Sequence, residues 1–238
     1  MLTHIHSEAD LDAALIRLTQ AEPRFGALMA EAGRPPLRRR AGGFAGLAAT
    51  VVSQQLSTAS AGAIWGRLAA AFDPLDAAAV VKARPEKLAR LGLSRPKIKA
   101  LKEIARAVSR GRLALSSLAD VDADSAHAAL TAVHGIGPWT ADIYLLSCLG
   151  HADAWPAGDL ALQEAVRLAF GLDVRPTAKE MAKLAEPWRP FRAVAARILW
   201  TYYRAVNGRD GAPTVSKILP KASPKRGANG RRIRRSQS

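Results

Sequence analysis

The stretch LTAVHGIGPWTADIYLL, Leu130 to Leu146, decides the fold. Its two ends carry apolar residues at helical spacing, and its middle sets Gly135 and Gly137 on either side of Ile136, followed at once by Pro138 and Trp139. Glycines here permit a tight turn with backbone conformations that a β-carbon would forbid, while Ile136 anchors the turn in the core. Pro138 is preorganised for the first turn of a helix, where its missing N–H costs nothing. The pattern predicts helix, hairpin, helix. Such a helix start exposes backbone N–H groups backed by a positive helix end, an anion site suited to one phosphate of a DNA backbone and blind to base sequence. A plain helix–turn–helix packing element carries the same signature, and the GIG alone does not separate the two.

Outward from the hairpin, the periodicity is helical throughout. Residues 10–22 place Leu11, Ala14, Leu15 and Leu18 on one face, with Asp10 as the N-cap, and Arg34-Pro35-Pro36 then breaks the chain. Phe44 to Phe72 reads as two helices joined by the polar elbow SQQLS, with Ser57 capping the second. Asp76 to Leu91 gives short helices broken at Pro85, and Ser94 to Arg110 a basic amphipathic helix ended by Gly111. The first hairpin helix is expected to begin near Asp124 or Ser125. The loop HADAWPAGD, His151 to Asp159, leads into a helix that stops at Gly171, and Thr177 to Val206 holds two helices split by Pro187 and Pro190. No window alternates apolar and polar residues for long, so the expected class is all-α.

The 238 residues are 49% apolar, enough for one large or two smaller well-buried domains. The formal charge of +15 and the sequence pI near 10.8 point to a polyanionic partner. Pro213 to Ser238 carries eight Lys or Arg and no acid, leaving 27 basic against 20 acidic residues in the rest of the chain. Residues 207–238, rich in Gly, Pro, Ser, Lys and Arg, read as a disordered basic tail and 1–206 as the folded domain. The tail is either a non-specific DNA tether or a plain extension. One cysteine, Cys148, excludes an intrachain disulfide and a four-thiolate iron–sulfur cluster. With no signal-peptide pattern and no run of membrane-span length, the expected compartment is the cytoplasm, with nucleoid association if the source is bacterial.

LTAVHGIGPWTADIYLL followed by AWPAGDLALQ closely resembles the helix-hairpin-helix plus Gly/Pro-Asp segment of the DNA glycosylase superfamily. VVSQQLS (51–57) and LGLSRPKIKALKEIA (91–105) are similar to the corresponding segments of its DNA-3-methyladenine glycosylase II branch. Four motifs in the expected order cover roughly residues 40 to 206. The resemblance implies two helical subdomains with a DNA cleft between them. Only about forty residues precede the matching region, so this looks like the compact form without the extra N-terminal β-rich domain of larger bacterial members.

The family places its catalytic carboxylate at the end of the Gly/Pro-rich loop, which is Asp159 here. An Asp in that position is also an N-cap, and the two roles are compatible: the macrodipole holds the carboxylate ionised beside a cationic sugar transition state. Superfamily members that also cut the backbone carry a lysine two residues after the hairpin turn, where its amine forms a Schiff base. That position is Trp139, which implies a monofunctional enzyme in which water attacks the sugar and an abasic site results. Nine of the thirteen aromatics fall between 139 and 203, and the family reads its extruded base by stacking in a pocket. Trp139, Trp200 and Tyr144 correspond to that pocket, whereas Trp188 and Phe191, beside prolines, are packing residues.

DNA contacts implied by the resemblance are Gly135, Ile136, Gly137 and Thr140 at the hairpin, and Gln54, Gln55 and Leu56 at the elbow. Gln55 is the choice for the wedge that fills the space left by the extruded base, with polar helix caps as the plain alternative. Lys97, Lys99 and Arg38 to Arg40 are further phosphate contacts or a solvated face. No cofactor is implied beyond a structural monovalent cation on the carbonyls of Thr131, Val133 and Ile136. The expected partner is double-stranded DNA with damaged bases, bound by a monomer without membrane or protein partners. Competing readings are a mismatch or oxidised-base glycosylase of the same superfamily, disfavoured by the missing cysteine quartet and hairpin lysine, and a non-catalytic binder of distorted DNA.

Overall fold

The computed structural model describes residues 2–208. Among them are twelve α-helices and one isolated β-bridge, His4 to His151. In chain order the helices are α1 (Glu8–Ala21), α2 (Arg24–Ala32), α3 (Gly43–Ser53), α4 (Thr58–Ala71), α5 (Ala77–Lys82), α6 (Pro85–Arg90), α7 (Arg95–Ser109), α8 (Ala123–Thr131), α9 (Pro138–Tyr144), α10 (Leu160–Ala169), α11 (Ala178–Leu184) and α12 (Arg192–Asn207). A π-helical turn, Leu145–Leu149, continues α9, and short 3-10 turns precede α8 and α12. The class is all-α, as the periodicity indicates. Among the described residues no helix is long and apolar enough to cross a membrane.

Packing sorts these helices into two groups. In one, α3 lies at the centre against α4, α7 and α9, with α5 and α6 on α7 and α8 on α9. Every residue of α3 from Phe44 to Ser53 except Ala45 is buried, which suits its all-round apolar sequence FAGLAATVVS. In the other, α12 packs against α1, α2 and α10. Trp188 sits there against Phe25 and Trp155, with ring centroids 5.0 and 5.4 Å apart. Trp188 and Phe191 are thus packing residues, as their flanking prolines suggest.

Several boundaries differ from the sequence reading. Asp10 is not the cap of α1. Ser7 is, accepting from Asp10 N–H while the Asp10 carboxylate accepts from Ser7 N–H, so the true start lies three residues earlier. α2 was not expected: it shows only Phe25 and Leu28 as fully buried apolar residues, too few for a periodic signal. α8 begins at Ala123, capped by Asp122, one or two residues before the expected start. The expected basic tail, apart from Asn207 and Gly208, lies outside the described residues.

Candidate active site

The hairpin forms where expected, but its two glycines do different work. Gly135 has φ +97°, and a β-carbon there would come within 2.7 Å of the Ala100 β-carbon and 2.8 Å of its α-carbon. It is required both for the left-handed turn and for close packing on α7. Gly137 has an ordinary φ of −82°, and a β-carbon there would meet nothing within 4 Å. The protein's own packing therefore does not demand glycine at 137, contrary to the expectation that both glycines relieve backbone strain. Ile136 is buried and anchors the turn. No side chain caps α9, and exposed Gly137 and Pro138 stand at its start, so its first N–H groups face outward at the positive end of the helix.

Asp159 sits where the two helix groups meet. It is the N-cap of α10, its Oδ1 accepting from Leu162 N–H at 2.9 Å. Trp139, from α9 in the first group, donates its indole N–H to Asp159 Oδ2 at 2.8 Å. Trp200, from α12 in the second, donates its own to Oδ1 at 3.2 Å. Asp159 is only 8% exposed, and burial pushes its pKa up. The Trp139, Leu162 and Trp200 hydrogen bonds and the Ala161 N–H pull it back down. The loop before it is tied to the second helix group: Trp155 donates to Met181 O at 3.1 Å, and Asp153 is held by Arg192 at 2.8 Å. The result is a carboxyl group held by three donors at a helix N-terminus, which in its ionised form favours a neighbouring positive charge without reorganising.

Indole N–H is a donor only, so both tryptophans spend it on the carboxylate. Trp139 is half-buried, whereas Trp200 is nearly enclosed. Tyr144 is 0% exposed, packed into the core on the inner face of α9. Its ring has no surface to offer a base, so the expectation that it lines the pocket is corrected. Thr140 is likewise not at the surface. It is 1% exposed, and its hydroxyl accepts from the Gln54 side-chain amide, because the second residue after Pro138 turns inward toward α3.

The elbow between α3 and α4 presents Gln55 exposed, with Gln54 and Leu56 half-buried. Gln55 adopts φ +54°, a left-handed conformation uncommon for a residue with a β-carbon. Ser57 caps α4 as expected. Lys97 does not stand free for phosphate. Its Nζ donates to Val52 O at 2.7 Å and Gln54 O at 2.8 Å, while Lys99 is exposed. Arg40 is buried rather than on a solvated face, and its backbone N–H bonds Ser147 O.

Sequence reasoning missed one further buried acid. Burial pushes the Asp142 carboxyl up to about 8, with Arg192 pulling it down and Asp124 pushing it up, and His127 Nε2 lies 3.7 Å from its Oδ1. An Asp at an inward position of α9 was the available signal.

Residues 48–190 match the family described as HhH-GPD superfamily base excision DNA repair protein. A DNA-3-methyladenine glycosylase of Bacillus subtilis is 28% identical over 121 residues, 51% of this chain and 40% of its own length. The chain spans about 40% to 55% of the length of the two Bacillus subtilis relatives it matches. Among solved structures, a Schizosaccharomyces pombe 3-methyladenine DNA glycosylase in complex with abasic DNA superposes with TM-score 0.70 at 26% identity. That match covers 81% of this chain and 95% of the other. A DNA-3-methyladenine glycosidase of Bacillus halodurans gives TM-score 0.68 at 25% identity, covering 84% of this chain and 92% of the other.

Proposed function

Because the chain belongs to the HhH-GPD superfamily of base excision DNA repair proteins, we propose that it is a monofunctional DNA glycosylase. Its substrates are alkylated purines in duplex DNA, 3-methyladenine foremost and 7-methylguanine next, and it acts as a monomer. The observation that carries this reading is the Asp159 carboxylate, held at the junction of the two helix groups by indole N–H groups from each.

The chemistry follows from that anion. As the C–N bond of the sugar breaks, its electron pair leaves with the base, and positive charge develops on the anomeric carbon. A purine methylated at a ring nitrogen is itself cationic and departs neutral, so no general acid is needed. Asp159, in its ionised form, stabilises the sugar cation. Water then adds to the anomeric carbon and gives up a proton, leaving an abasic site and the free base. Trp139 occupies the place where bifunctional relatives carry an amine, so no Schiff base forms and the backbone is not cut. Half-buried Trp139 would offer the cationic base a π face.

The uncapped start of α9 at Gly137 would take one phosphate, and exposed Gln55 would enter the space the base leaves. The turn is also proposed to hold a monovalent cation. Ile136 N–H bonds Val133 O at 3.0 Å, which leaves that carbonyl a second lone pair. Thr131, Val133 and Ile136 would be its ligands, and the ion would reinforce the positive end of the hairpin.

Incubating the purified protein with methylated duplex DNA and identifying the released bases tests this directly. Release of 3-methyladenine, with intact strands until alkali is added and no borohydride-trapped adduct, is expected. Release of none, or a trapped covalent complex, rejects the proposal.

A further inference from the structure

Lys97 stands out among the basic residues because its charge is turned inward. Its ammonium reaches Val52 O at 2.7 Å and Gln54 O at 2.8 Å, carbonyls at the C-terminal end of α3, where helical carbonyls lack partners and a cation is favoured. Among the described residues it makes no ion pair, and burial lowers its pKa. The carbonyls it holds belong to the segment immediately before Gln55, the residue with the left-handed backbone. A left-handed glutamine persists only where its surroundings over-determine it, and Lys97 is a side chain from outside the elbow that holds the carbonyls on its N-terminal side.

The same helix carries the hairpin. Ala100, three residues along α7 and on the same face, is the platform on which Gly135 rests without room for a β-carbon. A third tie closes the triangle, from the Gln54 side-chain amide to the hydroxyl of Thr140 on α9. One turn of α7 therefore sets the distance between the Gln55 elbow and the Gly135–Gly137 turn.

We infer that Lys97 is a positioning residue for base extrusion: it holds the Gln55 wedge at a fixed height relative to the phosphate-gripping hairpin. This rests on the reading of the protein as a glycosylase with its wedge at Gln55. Losing the ammonium frees the elbow from α7 while leaving the hairpin and Asp159 in place. Binding through phosphates then persists, and opening of the stack suffers.

The test compares Lys97→Met with wild type on a lesion in paired duplex and on the same lesion in a bulge, where the base is already unstacked and needs no wedge. Single-turnover excision from paired duplex should fall by about tenfold or more, the worth of hydrogen bonds to one charged group. Excision from the bulge should stay near wild type, and the fluorescence rise of 2-aminopurine placed beside the lesion should be lost. Gln55→Ala should give the same duplex-selective defect, and the double variant should be no worse than the worse single one, because both remove one device. Equal slowing on both substrates, no slowing on either, or fully additive losses would overturn the inference. Should Lys97→Met melt below the assay temperature, the same comparison is made at a temperature below its melting midpoint. Wild type that excises from neither substrate would instead reject the glycosylase reading itself.

Discussion

Trp139 donates its indole N–H to Asp159 Oδ2 at 2.8 Å, joining the second residue of the hairpin helix to the cap of α10 across the junction of the two helix groups. Trp139 is thus a hydrogen-bond donor to the proposed catalytic carboxylate.

Asp159→Asn should keep the fold, because asparagine caps a helix as well as aspartate does. The amide can accept with its oxygen, but its NH2 then faces the Trp139 indole N–H, a donor against a donor, which offsets the gain from removing a buried charge. The melting temperature should change little, while excision of 3-methyladenine falls by about 10²–10³-fold or more. Thermal melting and single-turnover release measured on one preparation check both, and undiminished release would remove Asp159 from the mechanism.

The proposed mechanism requires the Asp159 carboxylate ionised, and burial raises its pKa, so the acid limb of kcat/KM should lie above the ordinary carboxylate range. The Trp139 hydrogen bond is the largest of the influences that lower it. Trp139→Phe should therefore move the acid limb to higher pH, and Trp200→Phe should move it the same way by less. A limb that stays put, or moves down, contradicts the assignment.

The hairpin glycines should separate in their effects. Gly135→Ala puts a β-carbon in a left-handed backbone against Ala100 and should destabilise the fold by about 2 kcal/mol or more. Gly137→Ala meets no protein atom within 4 Å and should cost under about 1 kcal/mol, yet weaken duplex binding, since the added methyl would stand where the proposed phosphate approaches. Urea midpoints and equilibrium DNA titrations distinguish the two.

Asp142 should destabilise the fold increasingly as pH rises. Its carboxyl titrates at 3.8 in the ordinary state and near 8 when buried, so the folded protein holds a proton the unfolded chain has lost between those values. The stabilising contribution is fully present below about pH 4 and is lost as pH rises through about 8. Asp142→Asn removes the titration. Its stability relative to wild type should improve by a few kcal/mol between pH 4.5 and pH 8.5, read from urea unfolding at both. A constant difference would refute the burial account.

Deleting residues 213–238 removes eight cations and should weaken general duplex affinity, with a shallower dependence on salt. Single-turnover excision at saturating protein should remain largely intact. A truncated protein that binds but no longer excises would show that the tail belongs to the site.

The local chemistry of the chain determined the helical class, the hairpin at 130–146 and the place of Asp159 at a helix start. Those features depend on backbone preferences of residues a few positions apart: Gly135 for a left-handed turn, Pro138 for a first helical turn, Asp159 as a cap. Only the tertiary structure decided what meets the carboxylate, since Trp139 and Trp200 lie 20 and 41 residues from it along the chain. It also decided that Tyr144 and Thr140 turn inward and that Lys97 spends its charge on a helix end. Periodicity reveals that a helix has an apolar face, but side chains at the edge of that face are settled by which helix crosses it. The reach of a long lysine or an indole N–H is settled by distances that no local spacing encodes.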